Sequence, residues 1–267
     1  MTIGGLMVNK FHNPTLRVIR ILELINNTEE GLTNAEISQK LSIPKSTLSP
    51  ILNTLELTNI LEKNDKGCYI ASFKLFQLGL SYSGHLDALS MIRKQMKIIV
   101  KEVSEIVQFG ILIDDMVLYL EKVNSFDNIE IVSSVGKKIP AVYTALGKAL
   151  LSGYSDKDIS KMYENYKFIK YTENSIESLE QLLIEINGVR EKGYAKENKE
   201  FTLNTSCIAV PIKENGVIKG AMSVTYPVFR ATPNKESHII SALLEQKNII
   251  EDIIKIQNLK LDFAGER

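Results

Sequence analysis

Apolar residues near the start of the chain recur at helical spacing. A helix is predicted over about 13–25, because four of them share one face and Pro14 stands in the first turn, where its missing N–H costs nothing. The four are Leu16, Ile19, Leu22 and Ile25. This helix is expected to pack against the elements that follow it.

A second helix is predicted shortly after the first. Thr33 and Glu36 have the spacing of a capping box, in which each residue satisfies a backbone N–H of the other. The buried stripe of this helix is expected to consist of Ala35, Ile37 and Leu41.

A third helix is predicted to begin at Lys45, after a tight turn over 42–44 with Pro44 at the first helical position. Its apolar residues are expected to return to the core, and they are Leu48, Ile51, Leu52 and Leu55. Its early residues are small or basic, namely Lys45, Ser46, Thr47 and Ser49. Such side chains can reach phosphates and base edges, so this pattern is typical of a recognition helix.

Beyond Asn59, which suits a left-handed helix end, two short strands are predicted at 60–63 and 68–70 around a turn rich in Asn, Asp and Gly. With the two preceding helices, this hairpin predicts a winged helix-turn-helix. The residues expected to contact DNA are Thr33, Lys45, Ser46, Thr47, Ser49, Lys63 and Lys66. The alternative is a small helical domain with a hairpin and no role in DNA binding.

A longer helix is predicted over about 86–106. Its apolar residues follow one another at three- and four-residue steps, as in a coiled-coil seam, and they are Leu89, Ile92, Met96, Ile99 and Val103. This apolar face must be buried against another protein surface. We favour a contact with a second subunit, and the alternative is cover from its own domain.

The rest of the chain predicts an α/β domain, because strand patterns and helix patterns are mixed there. The expected strands are 107–113, 116–123, 129–135, 207–212 and 218–226, with Asp114-Asp115 as the first hairpin turn. The expected helices begin at 145, 156 and 175, and a closing helix covers 235–259. Ser175, Glu177 and Ser178 are expected to cap the helix that ends near 192.

Length and composition fit two domains of ordinary size, since the chain has 267 residues of which 44% are apolar. No apolar run approaches the roughly 18 to 20 residues that a membrane span needs, and the first residues do not resemble a signal peptide. A cytoplasmic protein without a membrane partner is therefore expected.

The candidate chemistry does not indicate an enzyme, a cofactor or a metal site. Cys68 and Cys207 fall in different predicted domains and are expected to be free thiols. His12, His85 and His238 are scattered along the chain, so no His pair or Cys-His couple is predicted.

Charge gives little support to nucleic-acid binding, because 32 basic residues balance 32 acidic ones. Residues 1–75 contain eight basic and seven acidic side chains. DNA contacts would therefore depend on a few placed lysines and backbone amides. A homodimer that doubles these contacts is part of the hypothesis.

Three motifs, taken in order, give the chain a resemblance to a known family. They are LTNAEISQKLSIPKSTLSPILNTLE in the helix-turn-helix, GKKIPAVYTALGKALL over 136–151, and KGYAKENKEFTLNTSCIAVP over 192–211. The chain resembles the IclR family of bacterial transcription regulators over nearly its whole length.

The resemblance implies an α+β fold in three parts. These are a winged helix-turn-helix over 9–75, a connector and linker helix over 76–106, and a GAF-like effector-binding domain over 107–260. It implies a regulator, most often a repressor, that binds double-stranded operator DNA as a dimer or a dimer of dimers. Family members control genes for the uptake and breakdown of small organic acids, sugar acids or aromatic compounds.

The resemblance also implies a pocket for a small anionic metabolite. Its residues would be the backbone amides of Ala145 and Leu146 and the side chains of Glu197, Cys207, Ser223 and Thr225. The alternation Ser223-Val224-Thr225 places both hydroxyls on one face of a strand. The alternatives are that Cys207 is a small core residue, that the hydroxyls point away from any pocket, and that Glu197 is an exposed loop acid.

Two residues depart from the family pattern. Pro50 lies inside the recognition helix, where the family often has a basic residue, and interior proline costs about 3 kcal/mol. Glu197 stands where aspartate is more usual. The alternative function is therefore a ligand sensor that acts through protein contacts without specific DNA binding.

Overall fold

The computed structural model of the protein describes residues 12–28, 30–79, 86–125 and 134–263. Most of the strand predicted over 129–135, and also His85, lie outside these residues. The chain divides into two compact units, residues 1–83 and 84–267.

The first unit is a winged helix-turn-helix, as predicted. Its helices are α1 (Asn13–Asn26), α2 (Asn34–Leu41), α3 (Lys45–Leu57) and α4 (Phe73–Gly79), and its hairpin consists of β1 (Leu61–Lys63) and β2 (Tyr69–Ala71). Leu32 adds a single bridge to Tyr69 beside the hairpin. Gly31 permits this approach, since a Cβ there would lie 2.7 Å from the Tyr69 carbonyl oxygen.

Local signals placed the start of α2 and the end of α3 correctly, and the start of α3 to within one residue. The Thr33–Glu36 capping box is present, and Asn59 is left-handed with φ +58°. Pro44 is the N-cap of α3 and not its first residue, a shift of one position.

The predicted buried faces of α1 and α2 are wrong in part. Ile19 is 47% exposed, whereas Ile21 and Ile25 are buried and Leu22 is half-buried. Residues 19 and 21 are about 200° apart on a helix, so they cannot both face the core. Ala35 is exposed as well.

The second unit is built on an antiparallel sheet, which has six strands among the described residues, in the order β5-β4-β3-β8-β7-β6. The strands are β3 (Ile106–Ile113), β4 (Met116–Val123), β5 (Lys138–Pro140), β6 (Ala195–Asn198), β7 (Thr205–Glu214) and β8 (Val217–Pro227). The helices are α5 (Leu86–Val103), α6 (Ala145–Leu151), α7 (Asp156–Met162), α8 (Leu179–Lys192) and α9 (Pro233–Gln257). Strands β5 and β6 are short and were not predicted. The predicted fold class, α+β with a helix-turn-helix followed by an α/β domain, is confirmed.

Two apolar cores lie against this sheet. One contains side chains of α5 and α9 packed on β3, β7 and β8. The other contains side chains of α6, α7 and α8 and of a 3₁₀ turn, Ala141–Tyr143, which pack against further apolar side chains of the sheet. The second core is the one that forms the walls of the cavity described below.

Helix α5 does not offer its apolar stripe to a second subunit. Ile92, Met96, Ile99 and Val103 are buried within the chain's own second unit. The helix ends at Val103, three residues earlier than predicted, because Ser104 is left-handed with φ +55°. Cover from its own domain, the alternative interpretation, is therefore correct.

The start of α8 also differs from the prediction. Ser178 is the N-cap, and its hydroxyl accepts from the Gln181 amide. The Ser175 hydroxyl instead donates to the Glu200 carbonyl at 2.7 Å and accepts from the Thr172 amide at 2.9 Å. Ser175 thus fixes the loop before α8 and does not begin the helix.

Among the described residues, no helix is long and apolar enough to cross a membrane.

Candidate functional site

The first turn of α3 presents polar side chains to solvent. Lys45 and Ser46 are exposed and Thr47 is half-exposed, while Leu48, Leu52 and Leu55 are buried beneath them. The burial of every third or fourth residue fixes which face of the helix is free. This free face is suited to entering a DNA groove.

Two of the predicted DNA contacts have structural partners within the chain. The Ser49 hydroxyl donates to the Lys45 carbonyl at 2.8 Å and accepts from Asn34 Nδ2 at 3.1 Å. The Thr33 hydroxyl donates to Glu36 Oε2 at 2.7 Å and accepts from the Glu36 amide at 3.3 Å. These residues cap α2 and join it to α3.

The two wing lysines both lie beside carboxylates. Lys63 Nζ is 2.7 Å from Glu56 Oε2 and 4.8 Å from the centre of the Tyr69 ring. Lys66 Nζ is 3.3 Å from Glu30 Oε2. Solvent screens exposed ion pairs such as these, so phosphates can replace the carboxylates at little cost.

Pro50 does not interrupt α3, which runs without a break from Lys45 to Leu57. The proline is exposed on the helix surface. Because proline has no N–H, the Ser46 carbonyl lacks its usual helical donor. The side chain that would reach DNA from position 50 is a hydrocarbon ring.

The second unit contains a cavity of about 250 Å³ between the sheet and the first turn of α6. It is lined by all the residues predicted to bind an effector, namely Ala145, Leu146, Glu197, Cys207, Ser223 and Thr225. They come from α6 and from the consecutive strands β6, β7 and β8, which begin more than 40 residues after α6. The structure therefore brings the whole predicted set together.

Strand register aligns three of these residues in one row. Glu197 on β6 is paired with Cys207 on β7, and Cys207 is paired with Thr225 on β8. Cys207 Sγ is 3.2 Å from Thr225 Oγ1, and that hydroxyl donates to Gln108 Oε1 at 3.1 Å. The Cys207 thiol is also hydrogen-bonded to the Glu197 carboxyl group, so the row of three side chains is connected from β6 to β8.

The first turn of α6 closes the opposite wall. The Thr144 hydroxyl caps the helix by accepting from the Gly147 amide at 2.9 Å. A Cβ at position 147 would lie 2.0 Å from the Ala141 carbonyl oxygen, so only glycine lets the 3₁₀ turn pack this closely. The amides of Ala145 and Leu146, in the first turn, have no acceptor within the helix.

Several cavity residues were not predicted from the sequence. They are Gln108, Tyr119, Ile139, Tyr143, Thr144, Phe201, Thr202, Asn204 and Thr205. Gln108 could have been recognised from the sequence, because it has the one polar side chain in the otherwise apolar strand IVQFGILI.

Glu197 is a buried acid, only 4% exposed, which excludes its interpretation as a surface loop residue. Its Oε1 accepts from the Glu200 amide at 2.6 Å. Burial raises the pKa of Glu197 to about 7; the Glu200 carboxylate adds to this rise, and the hydrogen bond from the Glu200 amide opposes it. Burial likewise raises the pKa of the Cys207 thiol, which is neutral at physiological pH.

A fully buried lysine lies behind this wall. Lys148 Nζ is 2.7 Å from Glu200 Oε1, 3.1 Å from Glu185 Oε2 and 3.0 Å from the Lys196 carbonyl oxygen. The ion pairs connect α6 to α8 and to the loop after β6. Within the described part of the chain, no group of His, Cys, Asp and Glu side chains is arranged to hold a metal ion.

Family models match both units of the chain. The model described as the C-terminal part of the bacterial transcriptional regulator IclR matches residues 80–251, and that of the IclR helix-turn-helix domain matches residues 15–65. The chain belongs to the IclR family. It is therefore a DNA-binding transcription regulator and not an enzyme.

Relatives and solved structures agree with the IclR assignment. The HTH-type transcriptional regulator KdgR of Escherichia coli is 29% identical over 231 residues, covering 85% of this chain and 87% of that protein. The transcriptional repressor IclR of Escherichia coli is 22% identical over 223 residues, covering 82% of this chain and 81% of that protein. An IclR homologue from Microbacterium hydrocarbonoxydans, complexed with 4-hydroxybenzoate, has the same fold with a TM-score of 0.82, at 23% identity, covering 91% of this chain and 99% of that one.

Proposed function

We propose that this IclR-family regulator reads operator DNA through the first turn of α3, and that a small organic acid in the cavity controls its affinity for the operator. The most direct support is the cavity itself, since residues of α6, β6, β7 and β8 that the family resemblance indicated line one space. Repression of a catabolic operon is the mode we favour.

The chemistry of the cavity suits a compact carboxylate. Amides at a helix start and strand hydroxyls can orient an anion without a buried cation. Tyr119 and Ser223 line the cavity and add two hydroxyl-bearing side chains to its wall. At about 250 Å³ the space is smaller than the roughly 300–1,000 Å³ of pockets for drug-sized ligands, which favours a small acid.

On the DNA side, Lys45 and Ser46 are the exposed contacts we propose for phosphates and base edges, with Thr47 beside them. Lys63 and Lys66 would exchange their carboxylate partners for phosphates. Self-association into a dimer, or a dimer of dimers, is part of the proposal because one copy offers few cations. Effector binding is expected to change operator affinity by about 5- to 150-fold.

The test is binding of the full-length protein to DNA from upstream of its own gene, compared with scrambled DNA at about 150 mM salt, where non-specific binding is weak. Lys45→Ala should weaken binding to both DNAs. The matched control is Lys40→Ala, since Lys40 is exposed near the end of α2. Preference for the upstream DNA, and its change by added organic acids, supports the proposal.

The protein-contact sensor predicts a different result. A sensor of this kind should show no preference for upstream DNA, with or without acids, and Lys45→Ala should leave DNA affinity unchanged. The paired wing lysines and Pro50 are the observations that favour it. Ser223→Leu should separate the two parts of the main proposal, because it fills the cavity and should abolish the acid response while DNA binding remains.

A further inference from the structure

The cavity combines a buried acid with neutral hydrogen-bond donors. Among its described lining residues there is no Lys, Arg or His, and Glu197 is the only carboxylic acid. An anionic ligand would therefore bind beside a carboxyl group with no cation in contact. Two like charges a few ångströms apart in a buried site cannot both remain ionised without a large cost.

The cations behind the cavity wall are already neutralised. Lys148 on α6 lies between Glu200 and Glu185, so this cluster has a net charge of −1 when all three groups are ionised. Lys196 on β6 pairs with Glu236 on α9 at 2.7 Å, and Glu236 also accepts from the Tyr226 hydroxyl at 2.9 Å. Neither lysine is therefore available to neutralise Glu197.

The remaining titratable groups near Glu197 do not supply positive charge. Cys207 on β7, Tyr119 on β4 and Tyr226 on β8 all have a pKa raised by burial and are neutral near pH 7. The Glu200 and Phe201 amides and the Cys207 thiol donate hydrogen bonds to Glu197 that lower its pKa, but burial outweighs them and leaves the pKa at about 7. A proton is the remaining way to lower the charge.

We propose that Glu197 couples effector binding to proton uptake: a monocarboxylate binds while Glu197 is a neutral acid that donates a hydrogen bond to the ligand carboxylate. The proton comes from solvent and stays on Glu197 in the complex. This inference rests on the proposed function, in which the cavity holds an organic acid. It makes the regulator's response depend on pH as well as on ligand concentration.

The direction of the pH dependence follows from linkage. With a pKa of about 7 in the free protein, Glu197 is ionised above that pH and must gain a proton when the ligand binds. The dissociation constant should therefore rise by about 30-fold from pH 6 to pH 8.5. Below pH 7 it should be nearly constant, because Glu197 is already neutral.

The same reasoning predicts which acids bind. One carboxylate can be matched by the protonated Glu197 and the hydroxyls. A second carboxylate would bring another charge with no cation to meet it. The cavity should prefer monocarboxylates such as gluconate, lactate or 4-hydroxybenzoate over succinate.

Isothermal titration calorimetry of the full-length protein with these four acids tests the inference. At pH 7.5, titrations in phosphate and in Tris give the number of protons taken up from the difference in buffer ionisation enthalpy. About three quarters of a proton per ligand is expected for the wild type. Glu197→Gln should bind the same acid with no proton uptake and a flat profile from pH 6 to 8.5.

Two further variants make the result specific. Glu197→Asp keeps an acid at this position and should retain proton uptake, which guards against a general loss of folding in the amide variant. Glu191→Gln removes an exposed carboxylate of α8 and should leave the profile unchanged.

The possible outcomes separate this inference from the proposed function. Binding without proton uptake, proton release, or an unchanged pH profile in Glu197→Gln overturns the inference while the acid-binding function stands. Failure of every acid to bind at pH 6, where Glu197 is neutral, overturns both.

Discussion

Lys148 Nζ lies 2.7 Å from Glu200 Oε1 in the interior of the second unit, and both residues are buried. The pair joins α6, which forms one wall of the cavity, to the loop that follows β6, which forms another. A buried pair of this kind stabilises little over apolar packing, but it is costly to break. It therefore holds the cavity walls in one arrangement.

Lys148→Met should lower the free energy of unfolding of the second unit by about 3–5 kcal/mol, since it leaves Glu200 buried without its cation. Burial raises the pKa of Glu200 and Lys148 opposes that rise, so the loss should be smaller at pH 5, where the uncompensated carboxyl takes up a proton. Urea unfolding at pH 5 and pH 8 measures this. Adding Glu200→Gln should recover part of the loss, and an additive double mutant would contradict the pairing.

Ser49→Ala and Ser46→Ala should act in different ways. The Ser49 hydroxyl links α2 to α3, so its loss should lower the stability of the first unit by about 0.5–1.5 kcal/mol. Ser46 is exposed at the start of α3, and its loss should weaken operator binding without a change in thermal unfolding. Equal effects of both variants on DNA affinity would mean that Ser49 contacts DNA directly.

Glu56→Gln should strengthen operator binding by about 1.5- to 5-fold, because it frees Lys63 from its exposed ion pair. The control is Glu62→Gln, which changes the same net charge on the neighbouring strand. Fluorescence anisotropy with labelled operator DNA gives both affinities. Identical gains in the two variants would show only the effect of net charge.

Gly147→Ala should abolish the effector response, since the added Cβ would collide with the Ala141 carbonyl and displace the 3₁₀ turn from the cavity. Gly188→Ala on α8 is the matched control. There the added Cβ meets only Lys192 Nζ at 4.0 Å, so stability should rise by about 0.5–1 kcal/mol. Calorimetric titration with an acid that binds the unmodified protein, together with thermal unfolding of each variant, tests the pair.

Pro50→Ala should stabilise the first unit, because it restores an N–H that can donate to the Ser46 carbonyl within α3. The gain is at most about 3 kcal/mol. Pro44→Ala, at the N-cap of the same helix, removes no such constraint and should have little effect. A loss of stability in Pro50→Ala would show that the ring has packing contacts that outweigh the missing hydrogen bond.

The local chemistry of the sequence determined the elements of the first unit. The Thr33–Glu36 capping box and the left-handed Asn59 each involve residues within about four positions of one another, so the pattern predicts them directly. Local residues do not determine which face a helix buries, since that depends on the elements that pack against it. For that reason the sequence pattern predicted a buried Ile19 in α1, whereas the structure buries Ile21.

Only the tertiary structure decided how the cavity is built. The family resemblance indicated Glu197, Cys207 and Thr225, but their alignment in one row depends on the register of three paired strands. Tyr119 and Gln108 enter the same space from β4 and β3, which are about 80 residues or more earlier in the chain. Pairing between such distant segments leaves no short-range pattern, because it is the packing of whole strands and helices that selects it. The burial of Lys148 between two acids, and with it the charge around Glu197, follows from that packing alone.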